Sequence, residues 1–156
     1  MVRLVSVAFL MLSLTHWIPS MGQVQERYNI VSTDQAYVIK PEKSNVAHLN
    51  LERIGLNCST PALSNELSFQ KIKKHFDEEK TSIFREIKIQ ARVYFDIQGY
   101  IQEVYFISEN DPEKFQLDYN QIANVIKRKI QVMENEDCVP KEEGKYIAWY
   151  IPLYEL

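Results

Sequence analysis

Few residues in this chain have the chemistry of a reaction centre, and they are scattered. Beyond position 22 the sequence holds two histidines, His48 and His75, and two cysteines, Cys58 and Cys138. Nothing in their spacing ties a histidine to a cysteine, as a thiol nucleophile and its base would require. Asp77-Glu78-Glu79 could be read as a carboxylate pair for acid–base work, but one carboxyl would then have to be desolvated and its pKa raised. Lys74 and Lys80 flank the triplet and favour a solvated ionic surface. His75 with Asp77 and Glu79 lacks the paired histidines of a helical metal site. The clusters Glu109-Asn-Asp111 and Glu134-Asn-Glu-Asp137 lack the spacing and central glycine of a calcium loop. With only Gly55, Gly99 and Gly144 after position 22, there is no glycine-rich phosphate cradle. Lys127-Arg-Lys129 is too short for a nucleic-acid footprint. The expectation is a protein that is not an enzyme, with no cofactor and no metal.

What remains is a strand of large side chains near the end, residues 146–151. Tyr146, Trp149 and Tyr150 offer wide contact area with polar tips. If this strand lies at a sheet edge, its N–H and C=O groups can receive an extended peptide. Tyr146, Ala148, Trp149 and Tyr150 are the candidate partner-binding residues. The alternative is that Ile147, Trp149 and Ile151 face a core while Tyr146 and Tyr150 pack on the outside of the sheet.

The start of the chain says where such a surface would work. Arg3 precedes a short apolar run from Leu4 to Leu14, a polar exit containing Pro19, and small residues Ser20 and Gly22. This pattern predicts a cleaved signal peptide over residues 1–22 and an exported, periplasmic or secreted product. The apolar run is about half of the ~20 residues needed to cross a bilayer, and the mature chain is expected not to insert into a membrane. Its 17 basic against 21 acidic side chains, net −4, argue against nucleic acid as a partner. An oxidising compartment permits a Cys58–Cys138 disulfide, with two separate thiols as the alternative. Closing so long a loop would stabilise the fold by about 4–5 kcal/mol in the chain-entropy model.

The pattern along the mature chain predicts an N-terminal arm, partly ordered, over residues 23–62. One folded domain follows over 63–156. Tyr37-Val-Ile39 is a short strand candidate stopped by Pro41. A helix is predicted over 64–76, with Leu67, Ile72 and Phe76 on one stripe and a weaker continuation, across Thr81 and Ser82, through Ile83-Phe84. From Ile87 the period becomes two: Ile87, Ile89, Ala91, Val93 and Phe95 point one way, and Lys88, Gln90, Arg92, Tyr94 and Asp96 the other. Asp96-Ile-Gln-Gly99 is a hairpin connection, the return strand runs over 100–108, and Pro112 lies in the loop that ends it. A second helix starts near Asp118, which has capping spacing with Gln121. Its apolar stripe is Leu117, Ile122, Val125, Ile126, Ile130 and Met133. The fold class expected is α+β, a three-stranded antiparallel sheet with two helices packed on one face.

Residues 69–154 resemble the C-terminal domain family of TonB, the energy transducer of Gram-negative envelopes. Ile89-Gln-Ala-Arg-Val-Tyr-Phe-Asp96 looks like that family's first long strand. Gly99-x-Ile101-x-x-Val104-x-Phe106-x-Ser108 looks like its glycine turn and second strand. Leu117-Asp118, Ile122-Ala123 and Val125-Ile126 are similar to its second helix. Pro140, Gly144-Lys145 and Ile151-Pro152-Leu153 are similar to its last loop and strand. Lys80-Thr-Ser-Ile83 stands where the family carries a Tyr-Pro signature, Cys138-Val139 replaces the usual aromatic, and there is no proline-rich spacer. The resemblance is therefore to a free-standing relative. It implies an envelope module that binds a protein partner, an outer-membrane receptor or another envelope protein, by strand addition. The other functions weighed are a structural or scaffolding component of an envelope complex, and a small hydrolase or sugar-binding protein.

Overall fold

A computed structural model of the chain describes residues 27–44, 66–130 and 138–156. Cleavage at position 22, Cys58, Met133 and the Glu134–Asp137 cluster lie outside those residues. The described elements are β1 (Tyr28–Ser32), β2 (Tyr37–Pro41), α1 (Glu66–Lys73), α2 (Glu78–Ile87), β3 (Gln90–Phe95), β4 (Ile101–Ser108), α3 (Tyr119–Lys129) and β5 (Ile147–Ile151). Short 3-10 turns follow β4 and β5, at Pro112–Lys114 and Leu153–Glu155.

The sheet is five-stranded and antiparallel throughout, in the order β1-β2-β4-β3-β5. This corrects the three-stranded expectation. The two additional strands come from the segment expected to be an arm, where β2 pairs its Ile39 with Phe106 of β4 and with Ile30 of β1. Their sequences are five residues long and half polar, and β2 ends on a proline. The Tyr37-Val-Ile39 strand candidate is β2; what its short run could not show is its pairing with β1 and β4, which depends on what it packs against. Here Ile39 is fully buried and Tyr28 and Ile30 pack onto the same core.

Among the described residues there are three α-helices rather than two. The stretch read as one helix with a possible extension is divided at Asp77, whose carboxylate accepts the Lys80 N–H at 2.8 Å and caps a new helix. The strand expected to begin at Ile87 begins at Gln90. Ile87 is instead the last residue of α2, and Lys88 takes a left-handed conformation (φ 49°) just after it. The Lys88 N–H reaches Arg85 O and the Ile89 N–H reaches Phe84 O, a Schellman closure that turns the chain into β3. Ile87 and Ile89 are both buried, so their spacing imitated the alternation of a strand.

One face of the sheet holds the main core. Ile39, Ala91, Val93, Phe95, Val104, Phe106 and Ile151 meet Ile72, Phe76, Phe84 and Ile87 of the first two helical segments and Tyr119, Ile122, Ala123 and Ile126 of α3. Asp118 caps α3 by accepting the Gln121 N–H at 3.0 Å. The chain end is part of this core: Leu153 and Leu156 are buried, the turn after β5 packs on α2, and the Tyr154 N–H donates to Ile89 O. At the far end of β4 the buried Ser108 hydroxyl lies 2.6 Å from both Ile87 O and Asn110 O, tying that strand to the end of α2. The β3–β4 connection is the expected turn, with Gly99 at φ 78° and the Asp96 carboxylate accepting the Tyr100 N–H. Between Tyr94 and Phe95 the register slips by one residue, a β-bulge next to the turn.

Candidate functional site

Because side chains alternate along a strand, the sheet's second face receives Val38 of β2, Glu103 and Tyr105 of β4, Arg92 and Tyr94 of β3, and Ala148 and Tyr150 of β5. Tyr94 and Tyr105 form a small apolar cluster of their own, with Val38, Tyr146 and Ala148 packed against it. Their rings meet edge to face at 5.0 Å between centroids. The Arg92 guanidinium lies 5.3 Å from the Tyr94 ring centre and 5.4 Å from that of Tyr150, within cation–π range of both. Its Nε is buried and has no hydrogen-bond partner among the described residues. Ser44 donates to Glu103 Oε2 at 2.7 Å and makes a close contact with the Tyr105 hydroxyl.

Tyr150 is the outlet of this cluster. It is 50 % exposed, whereas Tyr94 is 3 % exposed. It sits on β5, opposite Arg92 in the register, and β5 is an edge: among the described strands it pairs with β3 alone. The candidate residues therefore divide. Tyr146, Ala148 and Tyr150 gather on the second face, and Trp149 points the other way, packed against the main core. Trp149 still belongs to the edge through its backbone. Cys138 is buried and disulfide-bonded.

Sequence reading missed the inner part of the cluster. The alternation from Ile87 already placed Arg92 and Tyr94 opposite Val93, but gave no sign that Tyr105 and Glu103 of the return strand would lie beside them, or that Ser44 would reach Glu103. That juxtaposition depends on the strand order. The cluster offers aromatic faces, a flanked cation and phenol groups.

No protein-family model matches the chain, and no curated protein matches it. Among solved structures it is similar to the crystal structure of a DUF5043 family protein from Bacteroides uniformis ATCC 8492, with a TM-score of 0.50 and 15 % identity. The match covers 81 % of this chain and 90 % of that one. At that identity the likeness concerns the fold alone.

The buried phenols give the fold a pH signature. Burial pushes the Tyr94 hydroxyl up to about 12, with Arg92 pulling the other way, and burial alone pushes Tyr119 up to about 12. Burial also raises Tyr105. A phenol whose folded pKa exceeds its unfolded value of about 10 keeps its proton in the native state after the unfolded chain has lost it. Its stabilising contribution is whole below pH 10 and is lost as the pH rises towards 12. Ultraviolet titration of the nine tyrosines should therefore show a late step that coincides with alkaline unfolding. Tyr119→Phe should shrink that step. A single step near pH 10 with the fold intact would contradict the burial described.

Proposed function

We propose that the protein is a non-enzymatic, exported protein-binding module of the bacterial cell envelope. It pairs an extended peptide of its partner, an outer-membrane receptor or another envelope protein, with the β5 edge. The observation that carries this reading is the position of β5: an edge strand with the exposed Tyr150 beside its backbone and four further strands behind it. Strand addition draws affinity from main-chain hydrogen bonds and specificity from the side chains flanking them. Tyr146, Ala148 and Tyr150 would flank one side of the incoming strand, and Trp149 would contribute through its main chain. The order α2-β3-β4-α3-β5, which follows the resemblance to the TonB C-terminal domain family, supports the same reading, as does the export pattern of residues 1–22.

Prolines test it. Along an edge strand, alternate N–H groups point into the sheet and away from it, and proline is tolerated only where the N–H faces outward. Ala148→Pro and Trp149→Pro sample the two phases. The variant that keeps its melting temperature should lose at least about tenfold in affinity for a partner isolated by cross-linking from the native envelope. Unchanged affinity in that stable variant would exclude the edge.

A further inference from the structure

Five basic side chains converge on a cleft between α1 and α3. Lys71 comes from α1, Lys74 and His75 from the turn after it, and Arg128 and Lys129 from the last turn of α3. The cleft has a volume of about 400 Å³, and among the described residues its lining includes no acidic side chain. Among the described residues, none of the five forms a salt bridge. The chain as a whole is acidic, with a formal net charge of −3, so this concentration of positive charge is local.

Helix C-termini favour cations, and that preference accounts for basic residues in these turns one helix at a time. Lys73 satisfies it equally well on the same turn of α1 without lining the cleft. The preference does not account for two helices directing their cations at one concavity. Like charges brought together without counter-charge oppose folding, and the helices hold the arrangement through Ile72 and Ile126, which are buried in the main core.

We propose that this cleft binds a multivalent oxyanion, a ligand carrying phosphate groups. A volume of about 400 Å³ falls in the range of small-molecule sites, roughly 300–1,000 Å³, and suits linked phosphates better than a single small ion. Arg128 supplies a planar fork for two phosphate oxygens, and the lysines supply mobile point charges around it. The site is separate from the β5 edge, and its test does not depend on a protein partner.

The test is calorimetric titration of the full chain with tripolyphosphate, repeated with vesicles of neutral lipid with and without phosphatidic acid. The chain should bind at low salt, with affinity falling as salt rises. Lys71→Gln with Arg128→Gln should weaken binding about tenfold or more. Arg27→Gln with Lys114→Gln, which removes the same charge from exposed positions outside the cleft lining, should leave affinity within about twofold. Both variant pairs change exposed residues, so an unchanged melting temperature certifies the fold. Cleft-dependent binding of tripolyphosphate alone assigns a free phosphate compound. Cleft-dependent binding of the acidic vesicles assigns a lipid headgroup. No binding in either arm, or equal weakening by the two variant pairs, overturns the proposal.

Discussion

Phe106→Ala should lower the unfolding free energy by about 3–5 kcal/mol, the cost of emptying a large, fully enclosed aromatic site. Phe106 is 0 % exposed. Its ring centre lies 5.8 Å from that of Tyr28 on β1 and 5.3 Å from that of Tyr119 on α3, and those two rings are 6.0 Å apart. One side chain thus joins β1, β4 and α3. Tyr28 cannot readily fall into the gap, because its hydroxyl donates to Val104 O at 3.2 Å and its strand is paired along its length with β2. Domains of this size are typically stable by about 5–15 kcal/mol, so the variant should remain folded in water with a much lower urea midpoint. A loss below about 1 kcal/mol would mean that the three elements do not share this core.

Ile39→Ala should cost about 2–5 kcal/mol. Ile39 is fully buried and lies across from Phe106, yet it belongs to the stretch whose sequence suggests an arm. A loosely held arm would lose well under 1 kcal/mol on this truncation, so the measurement separates a five-stranded sheet from a smaller sheet with an appendage. Because the two side chains are cross-strand neighbours, the double variant should depart from additivity by about 0.5–3 kcal/mol. Urea denaturation of the four proteins measures all of this, and a strict sum would place Ile39 and Phe106 in separate environments.

The C-terminal half was more legible than the N-terminal half, for local reasons. Val93 and Phe95 alternate with Arg92 and Tyr94, Gly99 permits the left-handed turn, and Asp118 caps α3 on its own sequence neighbours. Each of these signals lies within a few residues of the feature it specifies. The strands β1 and β2 are short, partly polar runs whose place is fixed by Phe106 and Tyr119, far along the chain, so local pattern could not recruit them to the sheet. The start of β3 was hidden for a related reason. Lys88 occupies a left-handed position that usually signals itself by glycine, and without a glycine the helical Ile87 read as the first residue of a strand. The candidate site was legible where it coincides with β5. Its inner members, Arg92, Tyr94, Glu103 and Tyr105, required knowledge that β4, β3 and β5 lie side by side.

The β5 edge and the tyrosine cluster behind it make one mechanical argument. Tyr94 packs against Tyr105 on the sheet beside β5, and Arg92 spans from that buried pair to the exposed Tyr150. An incoming strand would then meet a preorganised surface, with less conformational entropy to lose on binding. The most direct measurement is residue-resolved hydrogen exchange of the protein alone and with its isolated partner. The account predicts slowed exchange at alternate amides of Ile147–Ile151 and unchanged exchange in β1, the opposite edge. Protection confined to β1 or to the helices, with β5 exchanging as in the free protein, would contradict it.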